Sequence, residues 1–309
     1  MNPDSMHNPD RLPPRDLPRR RSGRHRNPLS FDSWVGTPTL VLAVPAAADT
    51  GAEGSDGAGI GEQMADLVRS YRPEVTIKHG RAGSGDLVEA LADLEERDDH
   101  PLRGVVVPLV TGPHRATAEA VAAAVEEAGA DARVTEALGP HPMLAETLHL
   151  RLAEAGFVRA DRMRLISVVA PGTQMTDGVV VGAVGGPEAV NAAGVTAVLL
   201  AARLGITVLP ADIEDRASMD DAFHQLSTAG CARPVIAPSV VGPEVPAARL
   251  EQLAQHYGAR ASAPLGAGST LAKIAALRYA EVLNTLGAET PPTAEDIPAP
   301  VGSRHRPES

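Results

Sequence analysis

Cysteine is almost absent. Cys231 is the single one among 309 residues, which excludes an internal disulfide and any thiolate cluster ligated by this chain alone. A reducing, cytoplasmic compartment is the expected setting. Aromatic residues amount to only 2%. Ala, Val and Leu must therefore fill the interior, as they do where helices pack over parallel strands. The same scarcity argues against surfaces that stack bases, so no nucleic-acid partner is expected. No apolar run reaches the roughly 18 residues of a membrane span, so no membrane partner is expected either. The glycine-rich stretch 51–61 lacks the Gly-Lys-Ser/Thr ending of a phosphate loop. No Gly-x-Ser-x-Gly elbow follows an expected strand. Gly182, Gly185 and Gly186, with Asp212 further on, miss the spacing of a dinucleotide turn.

What is present is ordinary in bulk and uneven in distribution. With 43% apolar and 22% charged residues, the chain is long enough to bury two modest cores. Residues 1–36 are rich in Pro and Arg, with seven arginines against four aspartates, a surplus of three positive charges. The remainder then stands at −14 against −11 for the whole chain. This tail and the polar, Pro-rich stretch 287–309 are expected to be disordered.

Between the tails the chain says nearly the same thing twice. Val105-Val106-Val107-Pro108, followed by Gly112-Pro113-His114, returns 130 positions later as Val235-Ile236-Ala237-Pro238, followed by Gly242-Pro243-Glu244. Leu138-Gly139 and Leu150-Arg151-Leu152-Ala153-Glu154 return 127 positions later as Leu265-Gly266 and Leu277-Arg278-Tyr279-Ala280-Glu281. An apolar run ending at Pro45 pairs with one ending at Pro171, 126 positions on. Offsets this steady indicate a duplicated domain, here lobe one at 37–157 and lobe two at 158–286, with a ligand cleft between them.

Within lobe one, continuous apolar runs near 40–44, 75–78, 104–110 and 132–135 alternate with helical periodicity near 60–71, 86–96, 116–128 and 143–155. Lobe two repeats this with strands at 165–170, 206–209, 234–238 and 260–263, and helices at 188–204, 219–229, 246–257 and 270–285. Strand and helix alternating in this way predict an α/β fold with parallel sheets. Ligands bind beyond the carboxyl ends of such strands. That singles out the loops beginning at Pro45, His79, Thr111 and Leu138, with their counterparts at Pro171, Pro210, Val241 and Leu265.

At the strand 105–109 with His114 beyond it, and at Leu138-Gly139-Pro140-His141-Pro142-Met143-Leu144-Ala145, the chain resembles the class II tetrapyrrole chelatases, the sirohydrochlorin cobaltochelatase and ferrochelatase family. The resemblance spans roughly 38–285. It implies two tandem flavodoxin-like lobes that insert a divalent metal, cobalt or iron, into a tetrapyrrole held between them, for cobalamin or siroheme synthesis. The metal is then a substrate, no cofactor is permanently bound, and a monomer of two lobes suffices. The family's first strand ends in Ala-His-Gly-Ser, whereas this chain reads Val44-Pro45-Ala46-Ala47, and a family glutamate falls near Arg81. Proline offers no ligand atom. The alternative reading is a catalytically inactive relative that binds tetrapyrrole or metal for delivery or regulation.

Metal insertion removes two pyrrole protons, so the site needs a base and a group that hands over the metal. His114 is the candidate catalytic residue, since an unperturbed imidazole titrates around 6.5. His114, His79 and Glu244 are the candidate metal ligands. His79 follows the second strand, and Glu244 holds in lobe two the place of His114. Glu244 equally suits a loop acid near a helix start. Lys78, Arg81 and Arg115 are the candidate contacts for substrate carboxylates. His141, in Gly-Pro-His-Pro, reads as the turn leading into a helix with Pro142 at an early position.

Overall fold

Short apolar strands alternate with helices throughout the computed structural model, which describes residues 37–46, 58–94, 102–159 and 175–289. Lobe one runs β1 (Thr39–Val44), α1 (Ala58–Arg69), β2 (Ile77–Arg81), α2 (Gly85–Ala92), β3 (Gly104–Pro108), α3 (Arg115–Glu127), β4 (Ala132–Val134) and α4 (Pro142–Glu154). Lobe two runs β5 (Gly178–Ala183), α5 (Pro187–Leu204), β6 (Thr207–Asp212), α6 (Arg216–Thr228), β7 (Pro234–Pro238), α7 (Ala247–His256), β8 (Arg260–Ala261) and α8 (Ser269–Glu289). Each lobe forms a four-stranded parallel sheet, ordered β2-β1-β3-β4 and β6-β5-β7-β8. This is the expected α/β architecture in flavodoxin-like strand order. β1, β3 and β5 are buried at every position. Helices cover both faces of these strands, so unbroken valine-rich runs suit them better than alternating ones.

The strand expected at 165–170 and residues 1–36 and 290–309 lie outside the described residues, whereas 287–289, expected in the C-terminal tail, continue α8. In the second sheet the interior place is held by Gly178–Ala183. Register makes Ala43 and Gly182 equivalent, each opposite the proline that ends its third strand, Pro108 or Pro238. The first strands are thus 139 positions apart rather than 126, and Val184, not Pro171, is the counterpart of Pro45. β2 and β6 also run further than their apolar stretches suggest, ending at Arg81 and Asp212. Both are sheet-edge strands, where the outward pleat can carry polar residues.

The helices that close the two lobes are exchanged. α4, which follows the last strand of lobe one, packs against β7 and α5 of lobe two. α8, at the end of lobe two, packs against β3 and α1 of lobe one. Tyr279 of α8 is 0% exposed; its hydroxyl donates to the Pro38 carbonyl at 2.7 Å, and the Arg72 guanidinium lies 4.9 Å from its ring centre. Leu42 and Val107 therefore share one continuous core with Val181 and Ala237. Outer layers are separate: Val41, Leu87 and Val121 in lobe one, Val180, Met219 and Leu250 in lobe two. One shared core flanked by two outer layers replaces the two cores expected from chain length.

The repeated Leu-Arg motif explains itself here. Arg151 of α4 donates from Nε to the Leu265 carbonyl at 3.0 Å, and Arg278 of α8 donates from Nε to the Ala137 carbonyl at 2.9 Å. Each arginine is braced by the glutamate three residues on, Glu154 at 2.8 Å and Glu281 at 2.9 Å. Each exchanged helix thus pins the loop after the other lobe's fourth strand, using charge-assisted bonds to a carbonyl.

Candidate functional site

His114 starts α3. Its backbone is extended, with φ −134° and ψ 96°, and its Nδ1 accepts the Thr117 amide at 3.3 Å. The Thr117 hydroxyl also lies 2.7 Å from Nδ1. A half-buried imidazole thereby takes the N-cap place that Ser, Thr, Asp or Asn usually fills. Nδ1 is engaged in either tautomer, so Nε2 is the nitrogen left for chemistry. In the tautomer that accepts the Thr117 amide, the proton sits on Nε2; when Nδ1 carries it instead, the ring gives up that amide, donates to the Thr117 hydroxyl and leaves a lone pair on Nε2.

Burial lowers the His114 pKa from its ordinary value of 6.5, and the charges of Glu214 and then Asp212 partly offset that. The ring is therefore neutral at pH 7. These two acids belong to lobe two. Asp212 ends β6 and is 6% exposed. Its carboxylate accepts the Gly186 amide through Oδ2 and the Glu214 amide through Oδ1, both at 2.9 Å. Glu214, two residues further, is exposed. Asp212 thus builds the turn, and Glu214 supplies an open carboxylate.

The lobes meet directly beside His114. Gly185 has φ +121°, and a Cβ there would lie 2.4 Å from the Pro113 carbonyl oxygen and 3.4 Å from the His114 Cα. Only glycine accepts both that backbone angle and that approach. Next to this seam lies a cavity of about 420 Å³, lined by Val110, His114, Thr117, Val134 and Glu136 of lobe one and by Ala192 of lobe two. Its walls are mainly apolar, within the roughly 300–1,000 Å³ range of small-molecule sites.

The other residues singled out in the sequence are placed differently. His79 is not beyond its strand but inside β2, paired with Leu42, and its ring packs on Gly61 of α1, whose added Cβ would fall 2.7 Å from Nδ1. Lys78, on the opposite pleat, reaches the Asp93 carboxylate at 2.5 Å and the Asp93 carbonyl. It is drawn to the end of α2, away from the seam. Arg81 ends β2, with its amide donating to Asp86 Oδ2 at 3.1 Å. Register makes Arg81 the lobe-one equivalent of Asp212. Arg115 is exposed and pairs with Glu119 at 2.6 Å.

Glu244 departs furthest from its expected part. It is 6% exposed, and its carboxylate accepts the Val241 amide at 3.0 Å and the Gly242 amide at 2.7 Å. Both oxygens are spent on its own loop. Nor does it occupy the helix-start place of His114, because α7 begins at Ala247 with Pro246 before it. His114, His79 and Glu244 are not assembled: among the described residues, no group of three His, Cys, Asp or Glu side chains is placed to hold a metal ion. His141 caps α4 by accepting the Met143 amide at 3.2 Å, with Pro142 as the first helical residue, as its setting predicts.

Pro45 is buried at the end of β1. The carboxylate whose charge acts most on His114 is Glu214, which lies outside the residues singled out from the sequence. Its signal was the loop after β6, already singled out at Pro210, where Asp212-x-Glu214 stands two residues later.

No protein-family model and no curated protein matches the chain. Among solved structures, the sirohydrochlorin chelatase SirB from Bacillus subtilis subspecies spizizenii, in complex with cobalt, is 11% identical with a TM-score of 0.50, covering 82% of this chain and 98% of that one. CbiX, described as the terminal enzyme for biosynthesis of siroheme in denitrifying bacteria, is 17% identical with a TM-score of 0.51, covering 78% and 97%. SirB from Bacillus subtilis with Fe3+ is 14% identical with a TM-score of 0.50, covering 81% and 98%. In its two parallel-sheet lobes, this chain has the fold of the sirohydrochlorin chelatases.

Proposed function

We propose that the protein is a chelatase that inserts a divalent metal, cobalt or iron, into a tetrapyrrole held against the seam between its lobes, as a step toward siroheme or cobalamin. The observation that carries this reading is the His114 imidazole, held by Thr117 beside the cavity at the interlobe seam and within the influence of the Glu214 charge. In the proposed reaction the metal replaces two pyrrole protons. His114 accepts the two protons one after the other at Nε2, and each time the resulting imidazolium is stabilised by the acids of lobe two before it passes the proton to water. Glu214 takes the part assigned from sequence to Glu244, that of an oxygen donor available to the incoming metal. Arg81 supplies positive charge for substrate carboxylates at the rim of lobe one.

The test is an anaerobic absorbance assay of sirohydrochlorin with cobalt or ferrous ion, against a protein-free control. Wild type should accelerate insertion. His114→Asn, whose amide oxygen can keep the helix cap, should lose about 100-fold of that acceleration. A wild-type rate equal to the protein-free rate, with the macrocycle spectrum shifted by binding alone, would instead mark a binding protein on this fold.

A further inference from the structure

On the outer face of lobe two, α6 and α7 bound a second cavity of about 300 Å³, lined by Arg216, Arg249, Gln252, Leu253, His256 and Tyr257. Its floor is rigid. The Tyr257 ring stacks on Phe223 at 4.2 Å between centroids with planes 1° apart, and the Tyr257 hydroxyl donates to Asp220 Oδ1 at 2.7 Å. Both helices rest on a cluster built wholly from lobe-two side chains, so this cavity is distinct from the seam at His114.

The donors around it outnumber what the protein offers them. Arg216 Nη2 lies 3.5 Å from His256 Nε2, which accepts from it only in the tautomer that carries the ring proton on Nδ1. Arg216 has one carboxylate partner, Asp220 at 3.7 Å, whose other oxygen already holds Tyr257. Arg249 is exposed and has no carboxylate partner among the described residues. Two guanidinium groups and one carboxylate leave the pocket with surplus positive charge on a chain whose net charge is −11.

We propose that this pocket binds a phosphate-type oxyanion, either the free ion or the monoester end of a small molecule. Arg216 and Arg249 are its charged donors, and Gln252 and His256 complete the shell. A tetrahedral oxyanion accepts bonds from several directions, which suits donors arriving from two helices better than a planar carboxylate would. Asp220 faces the same space and sets a limit on affinity, because it repels the anion that the arginines attract.

Calorimetric titration of the full chain with inorganic phosphate, at ionic strength held constant with chloride, tests this. Saturable binding is expected, weakened about tenfold or more in Arg249→Ala, the loss anticipated for one charge-assisted donor. A parallel titration with glycerol phosphate separates the sources: tighter binding than inorganic phosphate identifies an ester, and equal binding identifies the free ion. Equal affinity in Arg249→Ala, or no saturable binding of either probe, overturns the proposal. Arg249 is exposed near the start of α7 and buries no core surface, so its loss should leave the circular dichroism spectrum unchanged.

Discussion

The third-strand loops of the two lobes start from nearly one sequence and end in different work. In lobe one, Gly112-Pro113-His114 leads straight into α3, with the histidine as its cap. In lobe two, Gly242-Pro243-Glu244 is followed by two more residues before α7, and the glutamate turns back to bind the amides of Val241 and Gly242. What both keep is the glycine. A Cβ on Gly112 would sit 3.5 Å from Ala192 of α5, and one on Gly242 would sit 3.0 Å from Ile60 of α1. Each loop touches the opposite lobe through that glycine, and the two part at the residue after the proline. Lobe one spent it on a titratable ring at the seam, and lobe two on a closed brace.

The second-strand ends differ in the same manner. Arg81 and Asp212 occupy one register position in the two sheets, so the carboxyl edge of lobe one ends in a cation and that of lobe two in acids. His114 faces the acidic side. The asymmetry gives the seam a base opposed by carboxylates, which an exact repeat would not have produced.

The largest break in this comparison should come from Gly185→Ala. A methyl group would meet the Pro113 carbonyl at 2.4 Å in a backbone with φ +121°, and about 3 kcal/mol of stability should be lost, read by urea unfolding. Glu244→Gln comes next. The amide keeps one acceptor for two backbone donors, so a loss of about 2 kcal/mol is expected. The reciprocal arginines sharpen the symmetric part of the comparison: Arg151→Ala and Arg278→Ala should each cost about 1.5 kcal/mol, by similar amounts. A large inequality in their urea midpoints would show that one exchanged helix carries more of the shared core.

At His114 the expected stability effects are smaller. His114→Ala should cost about 1 kcal/mol through the lost cap, and His114→Asn should restore most of it. The smallest effect is in pH dependence. The folded His114 pKa is lowered below 6.5, so the unfolded chain takes up this proton first as pH falls, and the contribution of His114 to stability declines from about pH 6.5 downward. The acid limb of kcat/KM should likewise lie below pH 6.5. Glu214→Gln removes the leading charge that raises this pKa, so the limb should move further down by a fraction of a pH unit. An upward move would show that Glu214 does not act on His114.

Much of this was legible from residues alone. The valine-rich runs at 40–44, 105–108 and 235–238 became interior strands because nothing but helix-covered sheet accommodates them. At the start of lobe two the same logic marked 165–170, outside the described residues, and did not mark Gly178–Ala183, which is a strand of the second sheet; both runs are short, apolar and β-branched, and periodicity does not rank them. The better signal was Gly185-Gly186-Pro187, a tight turn opening directly into a helix. Helix exchange left little trace, because an apolar face demands cover without naming who provides it. The repeated arginines of the two closing helices were its one visible mark. His114 could be singled out by type and position. Its opposition to Glu214, 100 residues away, is set by how the lobes dock.

The exchanged helices also alter what the single connection between the lobes has to do. Each lobe's sheet is roofed by a helix belonging to the other, so the two halves are clasped through their cores as well as joined end to end. A protease cut between Arg159 and Met175 would sever the polypeptide without freeing either half. To part them, α4 and α8 must first leave the cores they fill. The covalent link is mechanically redundant once folding is complete, and a nicked chain should travel, unfold and melt as one body.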